Sequence, residues 1–192
     1  MAVATTDVAV ASMALVLIGD TPISAFDGST TGAIVAENIY DTIIADLLTQ
    51  HPWRFSVRQS DLSHLEATPE ALFTDAWQIP TDALLVRRVI VAGSDITYEI
   101  YGDKIFANLD ETNTLTANYI FRSLEQDWPP YFLFAAQLQL AAMFSMSVAG
   151  KPDMSQDFET KADFALRKAR AIDSQSDTTH NIATTRFIDM RR

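Results

Sequence analysis

The stretch YFLFAAQLQLAAMFSMSVA, residues 131–149, contains no charged side chain. Asp127-Trp128-Pro129-Pro130 precedes it and Gly150 follows it, which is typical of residues that begin and end a helix. Its length suits a membrane span, but its Gln and Ser residues and the lack of a basic flanking cluster argue against one. A helix that is apolar on every side is typical of the centre of a bundle, or of a helix that a second subunit covers. We therefore predict the centre of a helical bundle and no membrane span.

Three further helices are predicted around this centre from the periodicity of apolar residues. Their predicted bounds are about 6–18, about 32–50 and about 154–174. Thr5 or Thr6 can cap the first helix, and Gly19 can end it. In the second helix apolar pairs recur every four residues, slightly more than one turn, so the apolar stripe winds around the helix. We expect its two ends to contact different neighbours.

The second predicted helix ends abruptly at QHPWRF, residues 50–55. Pro52 disfavours helical geometry at His51 and cannot donate a backbone hydrogen bond. Trp53 and Phe55 follow at once, and burying two aromatic rings there would fix the direction in which the chain leaves the helix. We interpret the stretch as a core anchor rather than a ligand-stacking site.

Between about 77 and 122 the periodicity changes from helical to alternating. Strands are predicted at Leu84–Val91, Ile96–Ile100, Lys104–Asn108 and Leu115–Arg122, with tight turns at Gly93-Ser94-Asp95 and Tyr101-Gly102-Asp103. This predicts a small antiparallel sheet of three or four strands. Residues 56–76 are polar and mixed, and we predict a loop near Thr68-Pro69.

Together these elements predict an α+β fold that is mainly α, a helical bundle of about four main helices with a small antiparallel β-sheet insert. We expect one domain over 1–175, with the bundle at 6–55 and 128–175 and the insert at about 77–122. Residues 176–192 are polar and then basic, and we expect an extended C-terminal tail there.

The composition of the 192-residue chain narrows its chemistry. It has no cysteine, which excludes disulfide frameworks, cysteine nucleophiles and thiolate metal sites. Its formal net charge is −11 and its pI about 4.5, whereas proteins that grip nucleic-acid phosphates carry a basic excess. We therefore expect an acidic protein that does not bind nucleic acid through a basic patch.

No motif with catalytic spacing is found. There is no G-x-S-x-G elbow beside the three histidines, and the six glycines form no phosphate-binding loop. One Asp-x-x-His spacing, Asp61-Leu62-Ser63-His64, resembles half of a di-iron site but has no second copy. We predict no catalytic residue, metal site or cofactor, and we interpret paired carboxylates as a consequence of acidic composition.

Five stretches in order resemble the tail tubular protein A family of short-tailed phages, over about residues 10–172. They are ALVLIGDTPISAFD, AENIYDTIIADLLTQHPWRFSVRQSDL, WQIPTDALLVRRV, YEIYGDKIFAN and DWPPYFLFAAQLQLAAMFSMS. The most specific pieces are His51-Pro52-Trp53, Ile79-Pro80-x-Asp82 and Trp128-Pro129. Arg54 and Ser56 depart from the small or amide residues that the family tends to have there, so local packing around Trp53 could differ.

The resemblance implies a structural head-to-tail adaptor that works by geometry and is no enzyme. Family members form a dodecameric ring in the virion, at the head–tail junction, between the portal protein and the tail nozzle or tail-tube protein. DNA passes through the ring without sequence-specific binding. In this setting His51, Pro52 and Trp53 would act as a structural hinge that turns the chain from the bundle toward the sheet.

Three alternatives remain open. The chain could be a head-completion stopper or a tail-terminator ring, which binding to portal rather than to tail tube would separate. It could be a cytoplasmic helical enzyme or ligand-binding protein, which a monomer with a deep polar pocket would favour. It could insert the helix at 131–149 into a membrane, which solubility without detergent would exclude.

The composition of residues 176–192 predicts that this tail docks on a partner protein. Three arginines outweigh two aspartates in residues 176–192, and apolar residues alternate with polar ones, which suits addition to a partner's surface. We expect the tail to dock on the portal ring. The expected docking residues are Ile182, Arg186, Phe187, Ile188, Met190, Arg191 and Arg192.

Overall fold

The computed structural model of the chain describes residues 6–65, 72–109 and 113–175. The helices within these ranges are α1 (Asp7–Leu17), α2 (Thr31–Thr49), α3 (Pro130–Ser147) and α4 (Pro152–Gln175), with short 3₁₀ helices at Arg54–Ser56 and Glu125–Asp127. The strands are β1 (Val57–Asp61), β2 (Ser63–Leu65), β3 (Asp75–Gln78), β4 (Ala83–Val91), β5 (Ser94–Asp95), β6 (Glu99–Tyr101), β7 (Lys104–Ala107) and β8 (Leu115–Phe121).

The bounds of the four predicted helices are confirmed to within two residues. Local capping explains the agreement. The Thr6 hydroxyl accepts a hydrogen bond from the backbone N–H of Ala9 at 3.2 Å and begins α1, and Gly19, with a φ of 85°, follows its end. The Thr30 hydroxyl caps α2 in the same way, accepting from the backbone N–H of Ala33 at 3.2 Å.

The prediction of a mainly α bundle with a small sheet insert is wrong. Of the described residues 48% are helical and 23% lie in strands, which form two four-stranded antiparallel sheets. The sequence pattern predicts no strand before Leu84, whereas β1, β2 and β3 all lie before it; the loop predicted near Thr68-Pro69 falls outside the described residues. The sequence of β1 is VRQSD, and this strand lies at the edge of its sheet, where backbone pairing with β8 needs no alternation of apolar side chains.

The two sheets pack face to face. The first has the strand order β1-β8-β4-β5 and the second the order β2-β3-β7-β6. Tyr119 on β8 and Val89 on β4 share one buried cluster with Trp77 and Ile105 of the second sheet. Ile120, the next residue on β8, belongs instead to the helical core. Because neighbouring strand residues point to opposite faces, the first sheet lies between the helices and the second sheet.

Strand β4 contains an irregularity that explains two adjacent arginines. Its pairing with β8 shifts between Val86 and Arg88, as in a β-bulge, and Arg87 and Arg88 are both exposed. The turn predicted at Gly93–Asp95 lies one residue earlier, at Ala92 and Gly93, which both have positive φ, and Ser94 and Asp95 form β5. The turn predicted at Tyr101–Asp103 is confirmed.

Helix α3 is the centre of the helical core, as its sequence predicts. It packs against α1, α2 and α4. Phe132 and Phe144 of α3 are fully buried together with Tyr40 of α2 and with Trp53. No helix among the described residues combines the length and the apolar character that crossing a membrane requires.

Candidate functional site

The junction between α2 and β1 is built around Trp53. After α2 ends, the chain passes through the Arg54–Ser56 helix and enters β1. Trp53 is fully buried, and its Nε1 donates a hydrogen bond to the carbonyl of Leu47 at 3.0 Å. Its ring meets the ring of Phe132 edge-on, with centroids 4.9 Å apart. Trp53 therefore ties the chain that leaves α2 to both α2 and the central helix.

Asp173, near the end of α4, joins three segments at this junction. The side chain is buried, and its Oδ1 accepts a hydrogen bond from the Tyr131 hydroxyl at 2.8 Å. Its Oδ2 accepts from the backbone N–H of Arg54 at 3.3 Å and lies 3.4 Å from Nε2 of His51. The carboxylate thereby connects the ends of α2 and α4 with the start of α3.

This carboxylate also shifts the ionisation of its neighbours. Burial raises the pKa of Tyr131, and the hydrogen bond and charge of Asp173 raise it further. Burial lowers the pKa of His51 from its ordinary value of 6.5, because the opposing effect of Asp173 is smaller. His51 is therefore held mainly as the neutral imidazole at neutral pH.

A second buried polar cluster connects α2 with the segment between β8 and α3. Glu125 is 7% exposed, and its Oε1 accepts hydrogen bonds from the Tyr40 hydroxyl at 3.1 Å and from Nη2 of Arg122. Burial and the charge of Glu125 raise the pKa of Tyr40. Burial alone would lower the pKa of Arg122, but the hydrogen bond and charge of Glu125 outweigh it and the pKa rises. Arg122 also pairs with the exposed Asp41 at 3.4 Å, so its guanidinium lies between two carboxylates.

The Asp61-x-x-His64 spacing does not assemble a metal site. Asp61 Oδ1 accepts a hydrogen bond from the Thr116 hydroxyl at 2.7 Å, whereas His64 Nε2 lies 2.8 Å from Asp75 Oδ1 on the neighbouring strand. Hydrogen bonds from Thr74 and His64 lower the pKa of Asp75. In the ranges that the structure covers, no three residues of metal-ligating type come together.

An apolar groove lies between α3 and α4. Its volume is about 720 Å³, and the Phe134 and Phe164 side chains in its walls are 56% and 72% exposed. Leu138 contributes to its floor, and Lys161 and Lys168 border it. We call this surface the basic groove. Contiguous exposed apolar surface on a soluble domain commonly marks a contact site.

The apolar periodicity of α3 and α4 alone does not predict this groove. Phe164 lies two positions after the buried Ala162, about 200° around α4, and so on the outer face of the helix. A large aromatic residue on that face, between Lys161 and Lys168, was the available signal. Asp173 was missed because a carboxylate late in an amphipathic helix is ordinarily solvated, and only tertiary packing places it beside Tyr131.

The structure places part of the predicted site. His51, Pro52 and Trp53 lie at the turn between α2 and β1, whereas the docking residues expected in 176–192 lie outside the described residues. No protein-family model matches the chain, and no curated protein matches it either.

Proposed function

We propose that this chain is a structural adaptor that forms a ring between the portal protein and the tail of a phage or phage-like particle. The five stretches that resemble the tail tubular protein A family include parts of α1, α2 and α3 and of both sheets. The resemblance therefore concerns the ordered framework of the domain and not one local motif. In this proposal the protein acts in the virion, at the head–tail junction.

The observation that carries the proposal is the exposure of Phe134 and Phe164. Helix α3 is uncharged, and most of its surface is buried by α1, α2 and α4, yet the groove beside α4 leaves two aromatic rings accessible. Exposing two aromatic rings to water is unfavourable, and contact with a further protein relieves this cost. Such an exposed apolar surface is expected on a subunit that functions by assembling with other subunits.

The distribution of charge supports a conduit for DNA. Residues 6–53 include six carboxylates and neither Lys nor Arg, and the first Lys or Arg of the whole chain is Arg54. Duplex DNA carries about one negative charge per 1.7 Å. An acidic lumen would repel it over about one Debye length, ~8 Å at physiological salt, so that DNA slides without binding.

Electron microscopy of the purified protein with and without portal protein tests this function. We expect a closed ring that stacks coaxially on the portal and accepts the tail nozzle or tail-tube protein on its other side. A ring that binds only the end of a completed tail tube would make the protein a tail terminator. A protein that stays monomeric and binds neither the portal nor the tail protein would overturn the proposal.

A further inference from the structure

The first sheet has a free edge on each side. Its strand order, β1-β8-β4-β5, places β1 at one edge. On the other side β5 pairs only with Ile90 and Val91, the last two residues of β4. Among the described residues, no strand therefore lies beside the outer side of Val57–Asp61 or of Ala83–Arg88. We call the second of these stretches the open edge of β4.

The hydrogen bonds of β1 show which backbone groups are unused. The backbone N–H of Leu62, directly after β1, donates to the carbonyl of Leu115 on β8 at 2.7 Å. Alternate residues of an edge strand point their backbone groups to opposite sides. Gln59 and Asp61 are out of step with Leu62, so their N–H and C=O groups point away from β8. An edge of this kind can pair with a further strand.

The open edge of β4 matches β1 in direction and length. Both strands are antiparallel to β8, so they run in the same direction. The five residues of β1 fit beside Ala83–Arg88, and β5 blocks the edge beyond it. A cleft of about 410 Å³ adjoins this edge, lined in part by Leu84, Leu85 and Val86. The edge thus has room for a parallel strand.

The side chains at the two edges are complementary in charge. Arg88 lies opposite Asn118 on β8, and Asp61 lies opposite Thr116 and contacts its hydroxyl at 2.7 Å. Asn118 and Thr116 share the helix-facing side of β8 with Ile120. Arg88 and Asp61 therefore lie on the same side of the sheet. If β1 of a second copy fills the open edge of β4, its last residue, Asp61, comes beside Arg88.

The open edge of β4 also carries features that make strand addition selective. Arg87 and Arg88 are exposed at the bulge, and in the ranges that the structure covers neither forms an ion pair. Bulges and charges on an edge hinder addition of arbitrary strands. A strand with a carboxylate in the matching position offsets the charge, so these arginines discriminate between partners. Leu85, which is 46% exposed, gains cover from any strand that is accepted.

We propose that β1 of one copy adds in parallel to the open edge of β4 in the next copy, so that neighbouring copies share a continuous sheet. Asp61 meets Arg88, and Gln59 lies beside Leu85. Two different edges meet, which makes the contact heterologous, and such contacts close into a ring when the rotation allows. This inference rests on the proposed function only for the ring closure. The contact itself is a property of the isolated chain.

Engineered cysteines test the contact directly, because the native chain has none. The double variant Gln59→Cys/Leu85→Cys should give a ladder of disulfide-linked multimers on mild oxidation at high protein concentration. Within one copy β8 separates the two positions by roughly 10 Å, which is beyond the reach of a disulfide. An equimolar mixture of the two single variants should give dimers and no longer products. Efficient dimers from either single variant alone, or no ladder from the double variant, overturn the proposal.

Proline at the edge tests the backbone pairing. Gln59→Pro should weaken self-association about tenfold in analytical ultracentrifugation, because it removes an outward N–H that a neighbouring copy would bond. The unfolding midpoint should change little, since that N–H has no partner among the described residues. Gln59→Ala keeps the N–H and should associate like the wild type. Unchanged association of Gln59→Pro, or equal weakening by Gln59→Ala, contradicts pairing through the backbone.

Charge exchange supplies a test of the register. Arg88→Glu and Asp61→Lys should each weaken self-association about tenfold, because each places like charges in contact. An equimolar mixture of the two variants should restore association, since each altered edge then meets an opposite charge. Lys151→Glu and Asp153→Lys, exposed and away from the sheet, are the matched controls. Equal weakening by the controls, or no restoration in the mixture, excludes this register.

Hydrogen exchange separates a second copy from any other occupant of the edge. The N–H of Gln59 should exchange rapidly in dilute protein and more slowly as the protein concentration rises. Slow exchange at every concentration would show that another part of the same chain covers the edge, and would overturn the proposal. If the ladder forms but no portal complex does, the adaptor function fails while this inference stands. A portal-bound ring without the ladder would leave the adaptor function intact and refute this contact.

Discussion

The Tyr131 hydroxyl donates a 2.8 Å hydrogen bond to Oδ1 of Asp173, which ties the first turn of α3 to the last turn of α4. The same carboxylate accepts from the backbone N–H of Arg54 at 3.3 Å. The exit of α2, the start of α3 and the end of α4 are therefore held by one buried carboxyl group. Loss of this carboxylate leaves those donors without that acceptor.

We expect Asp173→Asn to lower the free energy of unfolding by about 1–3 kcal/mol, because the new amide group directs donors at a site that already holds donors. Tyr131→Phe, which removes one donor and keeps the carboxylate, should cost about 1 kcal/mol. Asp153→Asn, at an exposed position of the same helix, should stay within about 0.5 kcal/mol of the wild type. Urea unfolding followed by circular dichroism measures all three, and a cost for Asp173→Asn no larger than for Asp153→Asn would contradict this role.

A second prediction concerns the pH dependence of stability. The folded state lowers the pKa of His51 below the value of 6.5 that it has in the unfolded chain. Protonation then favours the unfolded chain, so the contribution of His51 to stability is intact above pH 6.5 and is lost as the pH falls through the folded pKa. The free energy of unfolding should therefore drop more steeply between pH 7 and pH 5 in the wild type than in His51→Gln. Parallel curves for the two proteins would show that His51 is not the group responsible.

The buried pair of Arg122 and Glu125 leads to a third prediction. Arg122→Met removes the cation beside a carboxylate whose side chain is only 8% exposed, and we expect a loss of about 3–5 kcal/mol. The double variant Arg122→Met/Glu125→Leu should recover much of this loss, because no buried charge remains. Arg58→Met breaks the exposed pair with Asp82 and should cost less than about 1 kcal/mol. Equal losses for Arg122→Met and Arg58→Met in urea unfolding would refute the distinction.

The sequence predicts the helices well, because their signals are local. Thr6 and Thr30 cap helices that a few residues of context define, and Pro52 ends α2 wherever the rest of the chain lies. The strands were harder, since β1 is an edge strand whose polar residues show no alternation and whose partner, β8, is about 55 residues away at Thr116. Local patterns carry no information on such pairing.

The candidate surfaces were missed for a related reason. Phe164 lies on the outer face of α4, but the presence of Phe134 of α3 in the same groove depends on how the two helices cross. Glu125 and Asp173 are buried by residues that lie far away in sequence, such as Tyr40, 85 positions from Glu125. Glutamate and aspartate side chains are usually exposed to solvent, so residue type alone predicts that both lie on the surface.

A fourth prediction follows from the acidic channel of the proposed ring. The assembled ring should pass through a column of immobilised duplex DNA without retention even at low salt, where electrostatic attraction would be strongest. A variant ring in which Asp41 and Asp46 are replaced by Lys should be retained and should elute as salt is raised. Retention of the wild-type ring would contradict an acidic lumen, and unchanged passage of the variant would place these two residues away from the DNA path.

The tail leads to the last prediction. Deleting residues 176–192 should preserve folding, because the last buried side chain of α4 is Asp173, but should abolish co-sedimentation with the portal ring. Replacing the four apolar residues Ile182, Phe187, Ile188 and Met190 by Ser should have the same effect, because these side chains are the expected anchors on the portal. Replacing the three arginines of the tail by Gln should weaken binding less and mainly at low salt, since exposed charges are screened. Binding to portal that survives the deletion, with the unfolding midpoint unchanged, would rule out the tail as the docking segment and leave the ring itself as the portal-binding surface.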